Sequence, residues 1–354
     1  MPGTTTKHGP HCTQRHVISS RKNCEQQLGM PNQVEMGMIK TEIPIPTATT
    51  RADVTVVLST FNGSAFLPQQ LESLYAQTHS GIRILVRDDG SSDGTRDILE
   101  RARSAGCIDL LNGQNNLGAT RSFFELLRHA ASTGTEFIAF CDQDDVWAPD
   151  KVSRAVSALS GIQSERAAMY CSRLEIVDAA LVPAGFTPLP KRAGFGNALV
   201  ENICIGCTIL LNRNAIDLIC QNLPSKVLIH DWWCYLVLSC FGEIIFDPVA
   251  HIKYRQHGNN AIGVAQGYLD RLRRKLRRFA GNGDGRYWQS NQASVFKATF
   301  GDRIPETQRL LLDEFTGAKT AWRHRLRLAL SNDIWRQNGF DNIVLRFLIM
   351  INRF

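Results

Sequence analysis

The stretch VTVVLSTFNGSAFLPQQLESLYAQTHSGIRILVRDDGSSDGTRDILERA, residues 54–102, alternates apolar runs with amphipathic ones. Val54–Thr60 is rich in β-branched residues, which is typical of a buried parallel strand. Leucines between residues 67 and 74 then recur at the spacing of one helix face. A second strand at Ile82–Val86 and a second helix beginning near Thr95 follow. This order predicts a βαβ unit.

The same alternation continues to about residue 159. The run at 108–111 is a candidate third strand, and Thr120–Ser132 has one apolar helical face. A fourth strand is predicted at 136–142, and a helix at Pro149–Leu159. Repeated βαβ units indicate an α/β fold: a doubly wound, mainly parallel sheet with helices on both faces, plus a C-terminal helical extension.

Ligands of such sheets bind beyond the C-terminal ends of the strands, so residues after Thr60, Val86 and Cys141 should converge on one crevice. From about residue 160 the pattern loosens. It retains strand-like runs, which include Ile205–Leu211, and a predicted helix at Asp231–Phe241.

The composition is that of a globular protein rather than a disordered one. The chain has 354 residues, is 44% hydrophobic and carries a net charge of +7, which suits anionic partners such as phosphates. We expect a flexible leader at 1–52, a catalytic domain at 53–263 and a basic helical extension at 264–354. No secretory signal or membrane-spanning run is visible, which favours a cytoplasmic protein and leaves open a peripheral position on the inner face of the cell membrane.

Ten cysteines are scattered through the chain. Their simplest interpretation is packing as free thiols in a reducing compartment. Cys204 and Cys207 form one CxxC, for which a metal or redox role is the alternative.

The turn DDGSSDGT, residues 88–95, follows the second strand. Carboxylates at this edge, Asp88 and Asp89, can accept hydrogen bonds from a nucleobase or a ribose hydroxyl. The alternative is a solvated turn, because Asp, Gly and Ser are common turn formers.

Three acids follow the fourth strand in AFCDQDDVWAPDK, residues 139–151. Asp142 and Asp144 form a D-x-D whose side chains should point the same way, and like carboxylates repel unless a cation lies between them. Mn²⁺ or Mg²⁺ fits such a pair and leaves positions for phosphate oxygens. Asp145 would instead contact a sugar hydroxyl or an arginine. The alternative is helix capping before Pro149, which needs fewer than three acids.

Two later motifs add candidate groups. In HDWW, Asp231 can act as a general base and Trp232 can stack on a sugar, although an N-cap aspartate with core aromatics is the alternative. In YRQHGNN, His257 can complete the metal site and Arg255 can meet phosphate.

Together these motifs resemble the family 2 glycosyltransferases, and within them the rhamnosyltransferase-like group. The resemblance covers Val54–Gly263 and is carried by TVVLSTFNG, VRDDGSSDGT, NLGATRSF, FCDQDDVWAPDK, GCTILLNR, HDWW and YRQHGNN. It implies a GT-A fold, a nucleoside-diphosphate sugar donor such as dTDP-rhamnose, a divalent metal, inversion at the anomeric carbon, and a glycan or lipid-linked acceptor.

The resemblance also implies roles for particular residues. Asp231 is the expected base, and the metal ligands are Asp142, Asp144 and His257. Asp89 would contact the nucleobase, Phe61 would lie beside it and Arg121 would approach the donor. The full set expected at the donor is Thr60, Phe61, Asp88, Asp89, Arg121, Asp142, Gln143, Asp145, Trp232 and Arg255.

The basic stretch LDRLRRKLRRF, residues 269–279, has leucines at helical spacing. It predicts either an amphipathic helix at an anionic membrane or a solvated helix packed on the catalytic domain. Nucleic acid is disfavoured because no aromatic residues are interleaved. For the whole chain, the alternatives to a glycosyltransferase are a nucleotidyltransferase and a non-catalytic carbohydrate-binding protein.

Overall fold

The computed structural model describes residues 54–113, 115–257 and 289–354. The predicted leader at 1–52 and the predicted basic helix at 269–279 lie outside the described residues. The boundary expected at residue 263 also lies outside them, so the division into domains stays a prediction.

Nine strands form one mixed sheet in the order β3-β2-β1-β4-β8-β6-β9-β5, with β7 paired to β6. In chain order the strands are β1 Val54–Thr60, β2 Ile82–Asp88, β3 Asp109–Leu110, β4 Phe137–Cys141, β5 Val146–Trp147, β6 Ala168–Val177, β7 Pro183–Phe186, β8 Leu210–Asn212 and β9 Glu243–Arg255. The neighbours β3, β2, β1 and β4 are parallel, as predicted. The sheet turns antiparallel where β8 joins β4 and β6.

The helices cover both faces of this sheet. In chain order they are α1 Leu67–Tyr75, α2 Thr95–Ser104, α3 Ala119–Ser132, α4 Lys151–Ser160, α5 Phe195–Ala198, α6 Arg213–Cys220, α7 His230–Phe241, α8 Gln289–Phe300, α9 Glu306–Gly317, α10 Trp322–Leu330 and α11 Gly339–Met350. Successive side chains of β1 point to opposite faces of the sheet, and the core forms two clusters. Val57 packs in one cluster, and Val56 and Leu58 pack in the other.

The run predicted as a strand at Ile205–Leu211 differs from the structure. Gly206–Thr208 forms a 3₁₀ turn, and only Leu210–Asn212 pairs in the sheet, as β8. The main-chain N–H of Gly206 donates to Asp231 Oδ2 at 2.9 Å. The turn therefore exchanges sheet pairing for a hydrogen bond to a buried carboxylate.

The C-terminal helices pack on the catalytic part of the chain rather than standing apart from it. Trp233 of α7 is fully buried, with ring centroids 5.9 Å from Phe296 and 6.2 Å from Phe300 of α8. Farther along, the Asn197 amide donates to the Trp335 carbonyl at 2.9 Å. Among the described residues, no helix combines the length and the apolar character that crossing a bilayer requires.

A substitution at Gly196 tests whether the C-terminal helices pack on the rest of the chain in this way. A Cβ at Gly196 would lie 1.7 Å from the Asp333 carbonyl oxygen and 2.8 Å from the Trp335 ring. Because a backbone atom cannot move aside cheaply, we expect Gly196→Ala to lower the free energy of unfolding by about 1–3 kcal/mol, as overpacking does. Urea denaturation followed by tryptophan fluorescence measures the change.

Gly339→Ala is the matched control. A Cβ at Gly339 meets no atom of the described residues within 4 Å, and the position is helical. We therefore expect no loss of stability there. Equal stability of the Gly196→Ala and Gly339→Ala proteins would show that the contact between Gly196 and Asp333 is not maintained in solution.

Candidate active site

The parallel strands bring the predicted motifs to one edge of the sheet. Leu58 of β1 is in register with Cys141 of β4, and Thr60 is in register with Asp88 of β2. The residues that follow these strands therefore share one rim, as the sequence predicts. This rim is the candidate active site.

The loop after β1 is fixed by Gln143. The Gln143 side chain accepts the main-chain N–H of Phe61 at 2.8 Å and donates to the Phe61 carbonyl at 3.0 Å. Gly63 leaves space for this amide, since a Cβ there would lie 2.2 Å from Gln143 Oε1. The Phe61 ring remains 46% exposed at the rim, where it is available for stacking.

Asp88 and Asp89 are buried and serve as acceptors for protein donors. Asp88 accepts hydrogen bonds from Thr60 Oγ1 at 3.1 Å and from the Ser91 hydroxyl at 2.5 Å, and it pairs with Arg96. Burial alone would raise the pKa of Asp88, but the bonds from Ser91, Arg96 and Thr60 outweigh it and hold the pKa below its usual value.

Asp89 anchors the loop before α3. Its carboxylate accepts the main-chain N–H groups of Leu117 and Gly118, each at 2.8 Å, and pairs with Arg87. These bonds occupy both oxygens, so the nucleobase contact implied for Asp89 stays a prediction. Arg121 is exposed in the first turn of α3 and makes no hydrogen bond or ion pair with a described residue.

A compact cluster of potential ligands lies where β4 ends. Carboxylate oxygens of Asp142 and Asp145 and the Cys207 sulfur lie within 4.8 Å of one another. Burial, with the charges of Asp144 and Asp231, raises the pKa of Asp142 to about 7. Burial and the charges of Asp144 and Asp142 raise the pKa of Asp145 well above its usual value.

Asp145 is the most deeply buried of the three acids. It is fully buried, and its Oδ1 accepts the main-chain N–H of Arg255 at 3.1 Å. No N–H or O–H donor of the described residues reaches its Oδ2. A carboxylate oxygen left without a donor at a fully buried position leaves this cluster short of positive charge.

Asp144 contacts His257 and is not one of the three residues of this cluster. Its Oδ2 lies 2.8 Å from His257 Nε2, and the His257 ring centroid lies 4.6 Å from that of Phe66. The structure thus pairs Asp144 with His257, and Asp142 with Asp145. The metal set Asp142, Asp144 and His257 stays a prediction.

Arg255 is directed at the protein rather than at the rim. It is 2% exposed, and its guanidinium donates to the carbonyls of Asp144 and Ala179 and to Gln69 Oε1. These contacts hold the acid loop in place. The phosphate contact proposed for Arg255 stays a prediction, and in this structure its hydrogen bonds go to protein groups.

Lys151, which sequence reasoning missed, lies beneath the acids. It is fully buried, and its Nζ lies 3.5 Å from the Trp147 ring centroid. Burial lowers the pKa of Lys151 to about 8, although negative charge on Cys141 and Cys207 acts to raise it. The only signal in the sequence was its place in WAPDK, nine residues after Asp142.

Asp231 begins α7 on the other side of the rim. It is 5% exposed, its Oδ2 accepts the Gly206 N–H at 2.9 Å and its Oδ1 accepts the Trp232 N–H at 2.5 Å. Burial raises its pKa to about 7, although these bonds and one from Asn202 act to lower it. A carboxylate with such a pKa is suited to general base catalysis near neutral pH.

The neighbours of Asp231 on α7 are held by packing. His230 stacks on Phe123 at 4.1 Å between ring centroids, and burial lowers its pKa to about 3, so its ring is neutral. Trp232 donates from its indole to the Ala198 carbonyl at 2.7 Å and is partly exposed, whereas Trp233 belongs to the core.

A cavity of about 690 Å³ is lined by two residues close to the contacts of Asp231. Asn202 bonds Asp231, and Ile205 precedes Gly206, whose N–H Asp231 accepts. Its other walls include Leu189, Phe246 and Phe340. The cavity therefore has an apolar wall and reaches a hydrogen-bond partner of the candidate base, whereas Asp231 itself does not line it.

Comparison with known proteins identifies the family of this chain. The model of the family described as "Glycosyl transferase family 2" matches residues 55–216. A glucosyltransferase of Escherichia coli, UDP-Glc:alpha-D-GlcNAc-diphosphoundecaprenol beta-1,3-glucosyltransferase WfgD, is 30% identical over 192 residues, which are 54% of this chain and 70% of that protein. The dTDP-rhamnosyl transferase RfbG of Shigella flexneri is 27% identical over 84% of this chain and 100% of its own length.

The fold has a counterpart among solved structures. S. aureus TarS 1–349, in complex with UDP-GlcNAc, superposes with a TM-score of 0.50 and 14% identity over 84% of this chain and 90% of that chain. This likeness concerns the fold alone and agrees with the GT-A architecture. Of the activities that the sequence left open, these matches select glycosyl transfer from a nucleotide sugar, and the chain belongs to glycosyl transferase family 2.

Proposed function

We propose that this glycosyltransferase moves a sugar, rhamnose by preference, from a nucleoside diphosphate to a hydroxyl of a surface polysaccharide or a lipid-linked saccharide, with inversion. The observation that carries the proposal is Asp231, a buried carboxylate with a pKa of about 7 that is bonded by Asn202 of the cavity wall and interacts with Asp142 of the rim. The preference for dTDP-rhamnose rests on the likeness to the Shigella flexneri rhamnosyl transferase over its whole length.

In the proposed step, Asp231 takes the proton of the acceptor hydroxyl. The acceptor oxygen forms its bond to the anomeric carbon on one face while the bond to the diphosphate oxygen breaks on the other. A single base without a covalent nucleophile gives inversion in one displacement. Because its oxygens accept the Gly206 and Trp232 N–H groups, the Asp231 carboxylate is held in one orientation.

The acids of the rim fit a hard divalent cation. Asp142 and Asp144 supply carboxylate oxygens, the ligands that Mn²⁺ and Mg²⁺ prefer, and the charge of Asp144 contributes to the raised pKa of Asp142. When bound, such an ion offsets the negative charge that develops on the diphosphate leaving group. Cys207 is a soft ligand and suits neither ion, so we place it outside the ligand set.

Replacing the base tests the mechanism. We expect Asp231→Asn to lower kcat at least about a hundredfold, the contribution typical of a general base, with little change in the dissociation constant of the donor. A transfer assay with dTDP-rhamnose measures kcat. Calorimetry with dTDP measures the affinity for the nucleotide part of the donor.

The matched control is Asp302→Asn, since Asp302 is exposed and distant in sequence from the rim. It should transfer at the parent rate. Circular dichroism melts of both variants exclude unfolding as the cause, and normal turnover by folded Asp231→Asn would remove Asp231 from its role.

The pH profile follows from the same pKa. Asp231 works as the ionised form, so with saturating Mn²⁺ we expect kcat to be level above about pH 7 and to fall tenfold for each unit below it. His230 stays neutral throughout this range because its pKa is about 3. Initial rates between pH 5 and 9 would show this fall in kcat on the acid side. Activity that stays constant down to about pH 5 contradicts the assignment of Asp231 as the base.

Two substitutions separate the candidate metal ligands. We expect Asp144→Asn to raise the Mn²⁺ concentration for half-activation at least about tenfold, because it removes a carboxylate ligand. Cys207→Ser should leave that concentration unchanged, although the thiol lies within 4.8 Å of Asp142 and Asp145. Turnover titrated with Mn²⁺ after EDTA treatment measures both. Full activity without metal would contradict the metal site. If only Cys207→Ser raised the Mn²⁺ concentration for half-activation, the metal ligands would instead be Asp142, Asp145 and Cys207.

A further inference from the structure

Helix α10 carries an exposed apolar stripe. Trp322, Leu326 and Leu330 recur every four residues and are 61%, 40% and 75% exposed. Leu328 and Ala329 of the same helix are buried, so the helix already has a packed side. The exposed stripe is therefore not needed to attach α10 to the protein.

Helix α11, which packs against α10, repeats the arrangement. Ile343, Phe347 and Met350 follow one another at spacings of four and three and are 67%, 62% and 46% exposed. Leu345 and Ile349 are buried on its packed side. We call the two exposed stripes together, Trp322, Leu326, Leu330, Ile343, Phe347 and Met350, the apolar stripes. Scattered exposed apolar residues are ordinary, but rows of them on adjacent helices mark an interaction surface.

The charge around the apolar stripes is positive. Residues 318–354 contain seven lysines and arginines and two acidic residues. Arg323, Arg327 and Arg353 are exposed, although Arg327 also pairs with Glu314 of α9 at 3.3 Å. The Arg323 guanidinium lies 6.0 Å from the Trp322 ring centroid. Cationic groups beside large apolar side chains are the pattern of a helix that lies in a membrane interface.

We propose that the apolar stripes of α10 and α11 rest on an anionic lipid surface. The apolar side chains enter the boundary between headgroups and acyl chains, and the arginines meet lipid phosphates. A second copy of the chain is the less suitable occupant. A two-fold interface would set this positive surface against itself and bring like charges together.

The apolar stripes adjoin the cavity described above, which Asn202 lines. Phe340 and Asp341, in the first turn of α11, line that cavity together with Asn202. Docking through the apolar stripes would bring the cavity close to the lipid, where a saccharide carried on a lipid could enter. This last step rests on the proposed function; the docking itself does not.

The test is co-sedimentation of the full chain with vesicles of phosphatidylethanolamine and phosphatidylglycerol, and with vesicles of phosphatidylcholine. We expect binding to the anionic vesicles and a loss of at least about tenfold in the double variant Leu330→Glu and Phe347→Glu, whose side chains are exposed and whose fold should persist. Each substitution Arg323→Gln, Arg327→Gln or Arg353→Gln should lower binding about fivefold.

Leu310→Glu is the matched control, because Leu310 is 63% exposed on α9, outside the apolar stripes. It should bind as the parent does. Absence of parent binding, an equal loss in Leu310→Glu, or full binding by the double variant overturns the proposal. The proposal is also overturned if the double substitution dissociates a dimer of the chain but leaves vesicle binding unchanged.

The readout is independent of catalysis. The double variant should still transfer sugar to a water-soluble acceptor at the parent rate. If the parent protein transfers no sugar, the proposed function fails while the vesicle result stands by itself.

Discussion

The removal of carboxylates from water is the constraint on which this site depends. Asp145 is fully buried, Asp231 is nearly so, and Asp142, directly after β4, is half-buried. Each buried charge costs several kcal/mol unless donors or cations offset it. Main-chain N–H groups supply part of the compensation, and the raised pKa values show that it is incomplete. The rim is thus built to take up positive charge, whether as protons or as a cation.

The same residue type serves two purposes on the two sides of the rim. At the end of β2, donors hold the pKa of Asp88 low, and Asp89 is bonded to Arg87 and two main-chain amides. These carboxylates fix loops. At Asp231 burial outweighs the donors that it has, and at Asp142 burial acts together with the charges of neighbouring carboxylates, so both pKa values rise to about 7. Differences in environment, rather than in residue type, separate anchoring acids from those suited to chemistry.

The parallel half of the fold was predictable because its signals are local. Each strand from β1 to β4 is an apolar run followed by a polar turn, and parallel strands must end at one edge. The groups that complete the site were not predictable for the opposite reason. Cys207 reaches Asp145 through the antiparallel strand β8, and Arg255 is buried against Asp144 through β9. Those contacts depend on strand pairings between segments distant in the chain, which no local period encodes.

The C-terminal helices take part in the site without touching it. Asp231 and Trp233 lie in the first turn of α7, and Trp233 is clamped by Phe296 and Phe300. On the same helix, Tyr235 donates to Asn197, whose amide donates to the Trp335 carbonyl. The candidate base therefore begins a helix whose later residues are held by the extension. Because positioning makes a general base more effective, the extension would support the role proposed for Asp231 by immobilising α7.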